Sequence, residues 1–358
     1  MEYANNSLQK TEYMSKNENN VFTLHGVKIG NIALGYGLFL APMAGYSDAG
    51  MRRVCREHGA EYMTSEMVSA KAVCFGDRKS LALARIREWE APCAVQLFGS
   101  EPDIMARAAE RLSAGCDGGI PPCAVDINMG CPVPKVFGNG EGSSLMRDPE
   151  LIYRIVRAVS GSAPVPCTVK IRLGIDDMHL NAPDCARAAE AGGAAAVFVH
   201  GRTRKQMYSG DASPEGIAEV VRAVKIPVIA NGDIRDVKSA ARMLTVSGAA
   251  GLMIGRGAVG NPFIFSELIA AAEGKEYTPP SLAVREETAM RQIGYSVAEH
   301  GEERAVSEGR KQLGSYFHGI PGAAAFRARL NSSVSVADVA AAMRECLHEA
   351  EDTEIPAE

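Results

Sequence analysis

Cys131 closes the stretch Asp126-Ile127-Asn128-Met129-Gly130-Cys131-Pro132, in which a buried-strand pattern gives way to a glycine and a Cys-Pro pair. A packing cysteine belongs inside a strand or helix; this one stands where the chain leaves regular structure and Pro132 bars easy re-entry into a helix. A thiol so placed is a candidate proton donor, since with a reference pKa of about 8.5 it is mostly protonated at neutral pH. Lys170 lies within the apolar run 167–173, where a buried ammonium is costly unless an anion faces it. Farther along, Asn231-Gly232-Asp233 and Gly255-Arg256-Gly257 combine bare backbone with an arginine able to fork onto phosphate oxygens. Acid, cation and anion cradle together suggest proton transfer beside a bound anionic group.

Residues so far apart must be gathered by the elements between them. Eight short apolar runs, at 37–43, 61–67, 93–99, 124–130, 167–173, 196–202, 227–233 and 251–257, alternate with amphipathic segments such as 103–114, 149–159, 183–191 and 236–244. Strict β/α alternation implies a parallel sheet, and eight units close naturally into an α/β TIM barrel. At the carboxyl ends of the runs stand Met43, Glu66, Gln96, Asn128 with Cys131, Lys170 with Arg172, His200 with Arg202, Asn231 with Asp233, and Gly255 with Arg256. The active face of such a barrel is built there, with a phosphate commonly held after strands seven and eight. A reduced flavin, negative around N1 and the C2 oxygen, would suit Lys170, with Gln96, Asn128 and His200 at its polar edge. Each residue alone has a plainer reading: Lys170 in a salt bridge, His200 as a satisfied core histidine, Cys131 as a bystander thiol, the glycines as tight turns. Gly255, Gly257 and Gly260 also fit GxGxxG, but that dinucleotide fingerprint belongs in an early βαβ unit rather than at the end of a series.

Composition narrows the setting. The formal net charge of -5 gives no global sign of nucleic acid, so an anionic partner must meet a local basic patch. Nine cysteines without a CxxC pair, and no basic-then-apolar leader, suggest reduced thiols in a cytoplasmic protein with no metal site and no membrane span. Residues 1–20 are polar and Asn-rich, the pattern of a disordered tail; 21–275 carry the barrel; 277–282 form a Pro-bearing linker; and 283–350 are expected to form a helical domain.

The ordered set Leu40-Ala41-Pro42-Met43-Ala44, Val95-Gln96-Leu97-Phe98-Gly99, Asp126 to Pro132, Val169-Lys170-Ile171-Arg172, Val199-His200-Gly201-Arg202-Thr203-Arg204, Ala230-Asn231-Gly232-Asp233 and Met253-Ile254-Gly255-Arg256 resembles the tRNA-dihydrouridine synthases, particularly the bacterial B-type branch. The resemblance implies an FMN-binding TIM barrel with a C-terminal all-helical tRNA-binding domain, using NADPH to reduce a uridine of tRNA to 5,6-dihydrouridine. By family pattern Pro42, Met43 and Ala44 lie beneath the flavin. Gln96, Lys170 and His200 meet its polar edge, while Asn231, Gly232, Asp233, Gly255 and Arg256 hold the ribityl phosphate end. Cys131 matches the family's proton donor, giving a proton to C5 of the base after hydride from flavin N5 has reached C6.

On the RNA side the resemblance implies roles for Asn128, Lys135, Arg202, Arg310 and Lys311, with Arg310-Lys311 and the following Tyr316-Phe317 resembling a tRNA-facing helix. The chain departs from the family pattern at Phe137-Gly138-Asn139-Gly140-Glu141, which replaces a stretch that is usually more basic. Two other functions share the motifs: a flavin oxidoreductase of free pyrimidines, dihydroorotate dehydrogenase-like, and a non-catalytic RNA-binding flavoprotein.

Overall fold

The computed structural model describes residues 22–354, so the polar segment 1–20 lies outside the described residues. β1 (Val27–Ile29) and β2 (Ile32–Leu34) form an antiparallel hairpin. Eight parallel strands then close a barrel: β3 (Leu38–Leu40), β4 (Tyr62–Ser69), β5 (Cys93–Phe98), β6 (Val125–Met129), β7 (Cys167–Arg172), β8 (Ala196–His200), β9 (Val228–Asn231) and β10 (Gly251–Ile254), with β10 pairing back to β3. Each of the eight predicted runs is one barrel strand, and the chain forms the expected TIM barrel with helices after it.

The strands are near-continuous apolar runs because both faces are covered, one by the surrounding helices and one by the barrel's own interior. Val95, Leu97, Val125, Ile127, Val169 and Ile171 point outward into the main core, while Ala94, Ala124, Ala196 and Phe198 point inward. The alternation sends Gln96, Asp126, Asn128, Thr168 and Lys170 inward, and the register sets them side by side. Gln96 is level with Asp126, Asp126 with Thr168, and Asn128 with Lys170. The helices begin where local chemistry allows: Asp48, Asp148 and Asp236 each accept a backbone N–H from the first turn, and Gly193 and Gly248 end helices in the left-handed conformation.

The amino-terminal end of the barrel is filled. Phe39 packs against Tyr62 and Phe198 with ring centroids 5.2 and 5.3 Å away, and Val27, Ile29 and Leu34 of the hairpin join the same buried cluster. The hairpin turns at Gly30, whose positive φ of 59° suits glycine and whose missing Cβ would lie 2.6 Å from Pro166 Cγ.

Beyond the barrel, helices Leu282–His300, Glu302–Leu313, Ala323–Ser332 and Val336–Glu354 enclose a second apolar core that takes in Phe263, Phe317, Phe326 and Met343. The first of them docks on the helix Ala49–Glu57, with Ser296 Oγ donating to Asp48 Oδ2 at 2.7 Å and Tyr295 OH donating to Glu57 Oε1 at 2.7 Å. Gly50 permits this approach: a Cβ there would fall 2.6 Å from the Gln292 carbonyl oxygen. Arg87 adds an ion pair to Glu299. The docking carries Lys311 and Ser315 to the open, carboxyl end of the barrel.

Candidate active site

A cavity of about 610 Å³ opens at the carboxyl ends of the barrel strands. Its walls include Pro42, Met43, Ala44, Gln96, Asn128, Cys131, Lys170, His200, Asn231, Gly232, Asp233, Gly255 and Arg256, with Lys311 from the helical side. The barrel residues among them, far apart in sequence, meet because each stands at a strand tip or in the loop just after it.

Below the cavity floor the polar side chains form one directional chain. Asp126 accepts from Thr168 Oγ1 at 2.6 Å and from Gln96 Nε2 at 2.7 Å. Gln96 Oε1 accepts from Asn128 Nδ2 at 2.9 Å, and Asn128 Oδ1 accepts the Cys131 N–H at 2.8 Å. Because a carboxylate can only accept, Asp126 dictates which way both amides point. The Cys131 carbonyl is held from the far side by Ser143, N–H at 3.1 Å and Oγ at 2.8 Å. Burial pushes the thiol's pKa up, outweighing the Val133 backbone N–H and the Arg172 charge that pull it down. The sulfur is therefore a protonated SH at neutral pH.

Burial also raises Asp126 to about 6, against the hydrogen bonds of Gln96 and Thr168 and the charge of Lys170. In an unfolded chain an aspartate titrates near about 3.9. Between those values the folded state holds a proton that the unfolded state has lost. This group's contribution to stability is thus fullest below about pH 4 and is lost as pH rises through about 6. Asp126→Asn removes the charge but not the shape, so its thermal midpoint relative to the native chain is expected to improve from about pH 4 to about pH 7. A difference that stays constant across that range would show that Asp126 does not titrate there.

Lys170 Nζ donates to Asn231 Oδ1 at 3.0 Å, while Asn231 Nδ2 donates to the Met253 carbonyl at 2.7 Å. Asn231 is thereby committed to aiming Lys170, whose pKa burial lowers to about 8, with Arg172 adding to the fall and Asp126 opposing it. Beside it His200 is held well below its ordinary pKa, by burial first and then by Lys170, Arg172, Arg202 and Arg256, so the ring is neutral. Arg202 Nη1 lies 3.4 Å from His200 Nε2. Since a guanidinium only donates, the imidazole proton belongs on Nδ1.

The anion cradle sits after β9 and β10. Gly232 has φ of 131°, and a Cβ there would lie 2.5 Å from Ala212 Cβ; one on Gly257 would lie 2.1 Å from the Ile234 carbonyl oxygen. Only glycine leaves this backbone bare. Burial works to raise the Asp233 pKa, but the Ala212 N–H and the Arg202 hydrogen bond and charge outweigh it and hold it low. The ionised carboxylate gathers Arg235 and Arg256, each 3.5 Å from Oδ1. Glu66 accepts the Gly45 N–H and pins the turn carrying Met43 and Ala44.

Two residues anticipated from the sequence as RNA contacts, Arg202 and Arg310, are spent on partners inside the fold. Arg202 is fully buried, spending its guanidinium on Asp233 Oδ2 at 2.6 Å and on the Ser209 and Gly210 carbonyls, so it braces the wall from behind. Arg310 donates to the Ser333 carbonyl at 2.6 Å and ties two helices together. Lys135 is exposed outside the cavity wall, on the short helix Pro134–Gly138. Tyr316 and Phe317 are core residues, the former donating to Gln292 Oε1 at 2.7 Å. Lys311 does face the cavity, its ammonium 4.7 Å from the Tyr46 ring centroid.

Reading the sequence does not single out Asp126 or assign Arg172 a task. Arg172 donates to the carbonyls of Gly130 at 2.8 Å, Thr203 at 2.9 Å and Met207 at 3.0 Å, latching the Cys131 loop to the loop after β8. Their period-two spacing from Asn128 and from Lys170 is the signal that marks both as inward-facing. Among the described residues no group of three His, Cys, Asp or Glu side chains could hold a metal ion, and no helix is long and apolar enough to cross a membrane.

The family model described as Dihydrouridine synthase (Dus) matches residues 39–351. A probable tRNA-dihydrouridine synthase of Rickettsia conorii is 41% identical over 307 residues, covering 85% of this chain and 91% of its own length. A tRNA-dihydrouridine synthase B of Xanthomonas axonopodis pv. citri is 42% identical, with the same coverage of 85% and 91%. Among solved structures, histamine dehydrogenase from Rhizobium sp. 4-9 superposes with a TM-score of 0.54 at 12% identity, over 77% of this chain and 51% of that one. At that identity, and over half of the longer chain, the likeness concerns the barrel fold.

Proposed function

The chain belongs to the dihydrouridine synthase family, in its bacterial B-type branch, and from that premise we propose that it reduces a uridine of tRNA to 5,6-dihydrouridine with FMN as bound cofactor and NADPH as reductant. The residues present fit a flavin. Lys170, aimed at the cavity, meets no carboxylate within ion-pairing distance among the described residues and donates instead to an amide oxygen, Asn231 Oδ1. That leaves its charge for an electron-rich ring. Gly232, Gly255 and Gly257, with Arg256 and Arg235 only loosely held by Asp233, suit a phosphate. Pro42, Met43 and Ala44 would underlie the ring, and Gln96, Lys170 and His200 would face its polar edge. Bound flavin would supply the hydride that reaches C6 of the base.

The protein's own contribution is the proton. The C4 carbonyl of uracil makes C6 electrophilic, and once C6 has been reduced the enolate that remains needs protonation at C5. Cys131 Sγ gives up its proton there, and the raised pKa keeps that proton in place at neutral pH. Asn128 holds the loop that carries the thiol, and its position at the floor suits a contact with the base. The target nucleotide must leave its stack to enter, and single-stranded loops of folded RNA make that cheapest. With nine free cysteines the chain suits a reducing, cytoplasmic setting.

The observation that carries this reading is the convergence of Cys131 and Lys170 on one cavity. Mapping dihydrouridine in tRNA from cells with and without the protein tests it, together with turnover of tRNA against free uridine by the purified enzyme. Loss of dihydrouridine at one or more tRNA positions is expected. An unchanged map would remove tRNA as substrate, and turnover of free uridine alone would favour the small-molecule oxidoreductase.

A further inference from the structure

We propose that the rim formed by the loops after β6, β7 and β8 is the landing surface for the single-stranded RNA that flanks the target base, gripped by Arg147 and Arg204 against Phe137. The inference rests on the tRNA reading above and deepens it by naming where the polynucleotide is held.

Phe137 stands in the stretch where the family's basic residues are missing, yet the fold returns cations to that place from elsewhere. The guanidinium carbon of Arg147 lies 4.4 Å from the Phe137 ring centroid, and that of Arg204 lies 3.9 Å from it. Arg147 comes from the turn Gly142–Arg147 and Arg204 from the loop after β8, so two segments far apart in sequence converge on one ring. Among the described residues neither arginine forms an ion pair with a carboxylate. Of the acids on these loops Asp148 caps the Leu151 N–H at 3.0 Å, Asp176 binds His179 at 2.7 Å and Glu141 is buried, while Asp177 and Asp211 are exposed and ion-paired to neither arginine. Two guanidiniums sharing a ring without a counter-charge repel each other, and an incoming anion would relieve that repulsion. Stacking on the aromatic face meanwhile fixes their planes and leaves their N–H edges open to phosphate oxygens.

The apolar surface points the same way. Of nine large hydrophobic residues exposed among the described ones, Val133, Met178, Leu180, Met207 and Tyr208 all lie on these three loops, with Met178 87% and Tyr208 54% exposed. Exposed apolar and aromatic side chains interleaved with unpaired cations are the composition of a single-strand platform, where bases stack and phosphates are neutralised. On the helical side Arg304 pairs with Glu308, Arg329 with Glu345 and Glu349, and Arg291 with Glu57 and Glu287, while Lys311, Arg327 and Arg344 are exposed without an ion pair among the described residues. The barrel rim therefore brings unpaired cations of its own and, unlike the helical side, sets two of them on one aromatic ring beside exposed apolar side chains.

The test compares the native holoenzyme with Arg147→Ala/Arg204→Ala, Phe137→Ala and, as an exposed but paired control, Arg187→Ala. Flavin content and NADPH-driven flavin reduction should match the native protein in all of them. The double variant should raise KM for tRNA by about tenfold or more with little change in kcat, and should flatten the log-affinity against log-salt slope by about 1.4, at roughly 0.7 per single-strand phosphate contact. Phe137→Ala should raise KM with a smaller change in slope, since both cations remain. Native-like KM and salt slope in the double variant, or an equal loss in Arg187→Ala, would overturn the proposal while leaving a tRNA-active enzyme. A native protein that makes no dihydrouridine in any tRNA would instead sink the functional reading itself.

Discussion

Cys131→Ala is expected to leave NADPH-driven flavin reduction within about twofold of the native rate and to slow dihydrouridine formation by roughly 10²- to 10⁴-fold, the usual share of a positioned general acid. The sulfur lines the same cavity as Lys170, but among the described residues no hydrogen bond ties its side chain to Gln96, Lys170 or His200, so its removal should spare the reductive half of the cycle. Cys131→Ser keeps the shape while holding its proton far more tightly, and should fall between the two. Stopped-flow bleaching of the flavin and dihydrouridine yield under single turnover separate the halves. Equal tRNA reduction by the alanine variant would take the thiol out of the chemistry, and equal loss in both halves would make it a structural residue. The upward displacement of the thiol's pKa adds a sign: the step should fail on the alkaline side, above the ordinary thiol range, as the SH ionises.

Lys170→Met should cost the protein most of its hold on FMN. Among the described residues the ammonium donates to Asn231 Oδ1 at 3.0 Å and pairs with no carboxylate, so the charge is available to a bound group rather than consumed by the fold. A charge-assisted hydrogen bond to a ligand contributes about 1.5 to 3 kcal/mol, which is roughly a 10- to 150-fold loss of affinity. The variant should emerge pale from purification and require added FMN, with far-ultraviolet circular dichroism unchanged because Met fills a similar volume. A yellow protein with native flavin affinity would return Lys170 to a purely structural role.

The strands of this barrel are legible because each is apolar on two covered faces, and the cavity is legible because polar residues crowd one end of every run. What escapes a linear reading is whatever depends on a partner distant in sequence. Arg202 looks like a strand-tip cation facing a ligand, yet Asp233, Ser209 and Gly210 claim it, and none of those pairings has a spacing rule. Arg310 sits on a mixed-charge helix whose sequence has no period to say which cation faces outward, and the Ser333 carbonyl takes it. Tyr316 and Phe317 follow the basic pair but turn inward, because aromatic area is worth more in the core of the helical region than on its surface. The β1–β2 hairpin is written in three-residue strands around Gly30-Asn31, too short for alternation to register, although the Gly-Asn pair itself is a turn signal. Phe137 looks like a deficit until the fold brings Arg147 and Arg204 to it.

That hairpin also governs traffic. With Val27, Ile29 and Leu34 wedged beneath the aromatic trio, the tube is stoppered at its lower end, and the cavity opens at the opposite, carboxyl end of the strands. On the function proposed above, electron donor and polynucleotide would share that mouth on the way to Lys170, and one would have to step out before the other steps in. The order of that exchange would then be set by two three-residue strands packed at the far end of the barrel from the cavity.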